Sequence, residues 1–100
     1  MTVYVDELKT ITPSGAQAKS HGNQWCHMMV GANDDLQELH NAALKIGLKR
    51  SYFQPMKRFP HYDLTPSKRA LAVKHGAVEI HGREMAKTCK RIDNKVEIVQ

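Results

Sequence analysis

His61-Tyr62-Asp63-Leu64-Thr65-Pro66-Ser67-Lys68-Arg69 reads as a short strand that runs straight into a helix. The Thr65 hydroxyl can accept an otherwise orphan N–H, and Pro66, which has no N–H to lose, suits the first helical position. The helix is predicted from Pro66 to about His75, with Ala70, Leu71 and Val73 as its packing surface and Gly76 closing it. Alternation along the strand His61–Leu64 puts His61 and Asp63 on one side. The junction exposes N–H groups at the positive end of the helix dipole, with Lys68 and Arg69 in the first turn, so it is expected to attract anions.

Upstream, Thr2 to Asp6 is predicted as a strand from its β-branched and aromatic run, with Asp6 at its C-terminal end. Glu7 to Asn23 holds Pro13, Ser14, Gly15, Ser20, Gly22 and Asn23 without periodicity and reads as a long loop. Trp25 to Val30 is a second strand, with Cys26, Met28 and Val30 on one face and Trp25, His27 and Met29 on the other. Asn33, Asp34 and Asp35 announce a helix, capped by Asn33 and favoured by acids in its first turn. Leu36, Leu39, Ala43 and Ile46 form its buried stripe, His40 borders that stripe, and Gly47 ends it.

Leu48 to Gln54 reads as a third strand or extended arm, and Pro55 to Pro60 as a basic loop. Beyond the second helix, Val78 to Ile80 reads as a strand, Arg83 to Ile92 as a helix and Val96 to Val99 as a last strand or tail. Strands alternating with helices on this scale predict a small α/β fold: one domain over residues 1–100, a mixed sheet with two to three helices packed on it.

A chain of 100 residues, 41% apolar, can bury a single core and little more. No apolar run approaches the roughly 20 residues that cross a bilayer, and Met1 to Asp6 lacks the pattern of a secretory signal, so a cytoplasmic protein without membrane contact is expected. Cys26 and Cys89 make neither a disulfide framework nor a paired zinc motif. The net charge of +5 favours phosphate-bearing partners. Lys45, Lys49, Arg50, Lys57 and Arg58 form an acid-free cluster interleaved with Tyr52, Phe53, Phe59 and Tyr62; aromatics beside cations can stack on a base while the cations hold its phosphate, or can simply furnish the core. A second basic cluster, Lys87, Lys90, Arg91 and Lys95, suits a solvated surface equally well.

Met1-Thr2-Val3-Tyr4-Val5-Asp6, His27-Met28, Glu38-Leu39-His40 with Ile46-Gly47, Arg50, Phe53-Gln54, His61-Tyr62-Asp63, Lys68 to Val73 and Gly76-Ala77 together resemble the domain of unknown function 4031 family, small proteins of bacteria and bacteriophages. The family label implies no activity. A phage context, implied by the resemblance alone, raises the prospect of a counter-defence role.

These residues support two main functional expectations. The first is a binding module for a nucleotide or other phosphorylated small molecule, with no cofactor, as in a phage sponge that sequesters a host immune nucleotide. Its ligand set would be Arg50, Tyr52, His61, Tyr62, Asp63, Ser67, Lys68 and Arg69, and a homo-oligomer could complete the pocket. The alternative is a metal-dependent phosphodiesterase or nuclease, in which a divalent ion drawn from the candidates Asp6, His27, His40, His61 and Asp63 activates water. Association with nucleic acid through the basic loop is a third expectation, although no recognised nucleic-acid motif is present.

Overall fold

The structure, a computed structural model, describes residues 2–10, 24–55 and 59–90. Its axis is β3, Gln24–Val30. Strand β1, Val3–Val5, runs antiparallel to it with Val3 opposite Val30 and Val5 opposite Met28. Strand β2, Lys9–Thr10, pairs with Trp25 and Gln24. The link between β1 and β2 is too short to carry the chain across the sheet, so both lie along the same edge of β3. On the opposite edge β4, Tyr62–Leu64, sets Tyr62 against Met28 and Leu64 against Cys26. Outside β1 lies β5, Val78–Glu79, in parallel. Three helices join these strands: α1 (Leu36–Lys45), α2 (Pro66–Lys74) and α3 (Gly82–Thr88). The expected small α/β fold with a mixed sheet is what forms.

Period-two alternation explains the layering. Val3, Val5, Cys26, Met28, Val30, Tyr62 and Leu64 point to one face and bury with Leu39, Ala43 and Ile46 of the α1 region and Ala72 of α2. The other face carries a smaller cluster, Met29, Met85 and Cys89, flanked by Tyr4, Phe59 and Ile80. Adjacent residues such as Met28 and Met29 therefore serve different layers.

Local chemistry sets the helix ends. Thr65 Oγ1 accepts the Lys68 N–H at 3.3 Å, with Pro66 in the first turn, as the sequence implies. The cap of α1 is Asp35, whose side chain accepts from Gln37, and not Asn33; Asp34 is drawn away because its Oδ2 accepts the Thr2 N–H at 2.9 Å. Gly47, at φ 87°, takes the left-handed turn after α1, and a Cβ there would lie 3.0 Å from Lys68 Nζ.

Several boundaries differ from expectation. The stretch read as loop from Glu7 already pairs at Lys9–Thr10, while residues 11–23 lie outside the described residues. Leu48 to Gln54 is not a strand: Arg50–Tyr52 forms a 3-10 turn, because Lys49, Arg50 and Ser51 offer no alternating apolar face. Gln54 makes a single bridge to His61. The α2 packing surface is rotated from the expected one: Ala72 is buried, Val73 partly so, while Ala70 and Leu71 face outward. Its inward arc also carries Lys68 and Arg69, whose long stems reach acceptors within the fold. Helix α3 ends at Thr88, short of Ile92, because Cys89 extends to bridge Gly31. Lys57, Arg58 and the tail 91–100, including the expected strand Val96–Val99, lie outside the described residues.

Candidate metal centre

Continuing the β1 register would place Asp6 opposite His27, Glu7 opposite Cys26 and Leu8 opposite Trp25, yet Lys9 holds the last of these places. One extra residue thus sits between β1 and β2, a bulge that re-aims the side chains beside it. The Asp6 N–H still donates to the His27 carbonyl, at 3.3 Å. In an unbroken ladder the Asp6 carbonyl would accept the His27 N–H in return. Here Asp6 Oδ1 accepts it instead, at 2.7 Å, and the freed carbonyl accepts Arg69 Nε at 2.8 Å. Arg69 Nη1 also pairs with Glu79 at 3.2 Å, so α2, β1 and β5 are tied at this point.

Asp6 Oδ2 contacts His27 Nδ1 at 2.8 Å and accepts from Lys9 Nζ at 2.7 Å. The carboxylate is 1% exposed, and burial alone would raise its pKa. The bonds from the His27 ring, Lys9 and the His27 amide outweigh that and hold it at about 2. Asp6 is therefore an anion at neutral pH and only accepts, so His27 Nδ1 carries a proton, and in the neutral tautomer of the ring the lone pair is on Nε2.

A cross-strand row continues the pattern. Asp63 lies opposite His27 on β4, and His61, two residues earlier, shares that face. The His61 Nδ1–H donates to the Phe59 carbonyl at 2.8 Å, again leaving Nε2 as the basic nitrogen, 3.3 Å from Asp63 Oδ1. A lone pair facing a carboxylate is satisfied only by a proton or a cation between them. Burial opposes charge on His61, but the Asp63 and Phe59 bonds and the charges of Asp63 and Asp6 prevail and push its pKa upward. The His27 and His61 rings stand edge to face, centroids 4.9 Å apart. One donor atom from each of His27, His61 and Asp63 lies within 4.8 Å of the others. Two imidazoles, each held by a hydrogen bond at Nδ1, and a carboxylate are a set that could hold a divalent ion.

Four of the residues singled out from sequence as metal candidates thus converge, three as donors and Asp6 behind them. His40 does not: it sits in the helical layer, its Nδ1 2.9 Å from the Tyr62 hydroxyl, with its pKa lowered by burial and by Arg50. Of the residues proposed to grip a phosphorylated ligand, His61 and Asp63 stay together and the rest disperse. Tyr62 is fully buried and offers no surface to a base. Arg50 lies over the Phe53 ring at 5.0 Å, and Tyr52 is exposed on the 3-10 turn. Ser67 Oγ contacts Thr65 Oγ1 at 3.3 Å, and Lys68 Nζ donates to the Ile46 carbonyl at 2.8 Å, closing the end of α1.

Lys9, Glu7, Phe59 and Arg83 border the centre without having been singled out for it. For Lys9 one signal was available: it lies three residues past an acid at a strand end. Glu7 Oε1 accepts the Gly82 N–H at 2.6 Å and so fastens the start of α3 beside the site.

The family model described as Protein of unknown function (DUF4031) matches residues 3–92. The chain belongs to the DUF4031 family. That match spans every strand and helix described above, including all four residues of the Asp6-backed centre. No curated protein and no solved structure gives a significant match to this DUF4031 protein. Among its described residues no helix is long and apolar enough to cross a membrane.

Proposed function

We propose that this protein is a divalent-metal-dependent hydrolase of phosphoesters, with His27, His61 and Asp63 as ligands and Asp6 as the positioning residue behind His27. The observation that carries the reading is the fixed orientation of both imidazoles: each Nδ1 is bonded to an acceptor, and one donor atom from each ring lies within 4.8 Å of an Asp63 carboxylate oxygen. A three-ligand site leaves positions for water and substrate, and a bound ion lowers the pKa of its water toward neutrality. A chain charge of +5 favours an anionic substrate over a neutral one.

Capture without chemistry, including the sponge reading, relied on Lys68 and Arg69 as phosphate ligands. It draws less support, because both cations donate to carbonyls of their own chain.

The test is a titration of metal-free protein with zinc and manganese, followed by chromatography of bis(p-nitrophenyl) phosphate and of cyclic and linear nucleotides after incubation. One ion per chain and product from at least one ester are expected. His61→Ala and Asp63→Asn should abolish both while the circular dichroism stays native. A wild-type protein that takes up neither ion removes the centre; one that binds an ion but releases no product removes the hydrolase.

A further inference from the structure

A cleft of about 380 Å³ opens beside His27, between β3 and the start of α3. That volume lies within the roughly 300–1,000 Å³ usual for small-molecule sites. Its floor is apolar: Met29 and Met85 are 5% and 3% exposed, and Phe59 packs beside them. Thioethers and a phenyl ring favour a flat aromatic partner, since sulfur sits well at the edge of a ring and methionine adapts to its shape.

The rim has a different chemistry. Arg83 is exposed and makes no ion pair with an acid among the described residues, and Lys9, paired with Asp6, also lines the cleft. The cleft also contains two acids, both held by contacts within the chain. Asp6 is bonded to His27 and Lys9, and Glu7 to the Gly82 N–H with His81 3.8 Å away. A Cβ at Gly82 would lie 3.2 Å from Lys9 Nζ and 3.3 Å from Glu7 Oε1, so a larger residue there would crowd these two side chains.

We infer that this cleft is the substrate pocket, and that it takes a nucleotide, with the base on Met29, Phe59 and Met85 and the phosphate between Arg83, Lys9 and the His27–His61–Asp63 centre. This rests on the hydrolase reading for its chemistry but not for its binding, because the floor and Arg83 are built without any metal ligand. His27 is the shared wall: it borders the cleft and contributes to the centre. A base seated on the floor therefore brings its own 5′-phosphate toward the ion.

The neighbouring methionines supply an internal control. Met29 lies on the cleft face, whereas Met28 is fully buried on the other side of the same strand. The full chain carrying ¹³C-methyl methionine is titrated with adenosine 5′-monophosphate, first in EDTA and then with zinc. Ring-current shifts at Met29 and Met85, with Met28 unmoved, are expected in both conditions. Ribose 5-phosphate, which lacks the base, should leave those two methyls in place. Arg83→Ala should weaken the monophosphate about tenfold and leave adenosine unchanged.

Met29 and Met85 signals that stay still at millimolar nucleotide, or a Met28 signal that moves with them, overturn the pocket even if zinc binds. Shifts that persist in Asp63→Asn, which lacks the complete ligand set, support the pocket whether or not any hydrolysis is found.

Discussion

Replacing Asp6 with Asn removes one charge and almost no volume, and its consequences can be worked from the contacts. The carboxyl moves from an ordinary 3.8 to about 2 on folding. At roughly 1.4 kcal/mol per pH unit, the ionised form therefore stabilises the folded chain by about 2 kcal/mol. Because the folded value is the lower one, this contribution is fully present above 3.8 and is lost as pH falls toward 2. Urea unfolding followed by circular dichroism should show the variant weaker by about 2 kcal/mol at pH 7, a midpoint shift on the order of 1 M. The two proteins should converge near the bottom of that acid window.

A second effect has nothing to do with stability. An amide cannot accept at both of its atoms, so the substituted side chain would turn an N–H either toward the His27 main-chain amide or toward both Lys9 and the His27 ring. Where it faces the ring, the ring proton is driven to Nε2, the nitrogen needed by a metal. Zinc affinity should fall about 10- to 100-fold, as losses of a histidine's supporting carboxylate do. Equal stability of the two proteins at pH 7, or unchanged zinc affinity in the variant, would refute the reasoning about Asp6.

Lys68→Ala should cost about 1 kcal/mol in the same unfolding assay, the net worth of one hydrogen bond to the Ile46 carbonyl, while zinc titrates as in the wild type. Cys26 and Cys89 are both pushed up to about 12 by burial, so native protein at pH 8 should resist iodoacetamide, and mass spectrometry should find both thiols alkylated only in denaturant. His61 holds its proton above the usual histidine range, and a protonated ring cannot coordinate. Zinc affinity measured by calorimetry should therefore rise with pH through neutrality. The stability that the His61 proton itself contributes, present below the unfolded value of 6.5, is lost as pH climbs through the raised folded one.

How far the sequence could be read depends on the range of the interaction. Thr65-Pro66 and Gly47 work within a turn, so the start of α2 and the end of α1 were legible. Alternation from Trp25 to Val30 and from His61 to Leu64 was equally local, and it put His27 on one face and His61 with Asp63 together. The meeting of Asp6 with His27 depends instead on a register shift between two strands, which no local pattern encodes. Had the alternation of Val3 and Val5 been carried one residue further, Asp6 would have fallen on the same face as His27, and the pairing could have been anticipated. Lys68 shows the opposite case: its acceptor is a carbonyl 22 positions earlier, and only the packing of α2 beside the end of α1 reveals that its charge is already engaged. The rotation of α2 was hidden for a related reason, since Leu71 and Ala72 are both apolar and nothing nearby says which one points inward. His40 lay on the border of its helix stripe, and its position was decided by a hydroxyl from a different layer.

The bulge between β1 and β2 makes regular structure and chemistry competitors in this fold. Deleting one residue from the stretch 6–8 would let two short ribbons merge into a single continuous hairpin arm, a tidier object by any backbone criterion. The merged arm would return the carbonyl to its neighbour, release Arg69 and swing the anion away from its imidazole. A chain engineered for a smoother sheet at this spot should therefore gain a regular ladder while losing the Asp6 and Arg69 contacts that tie the sheet to α2 and orient His27.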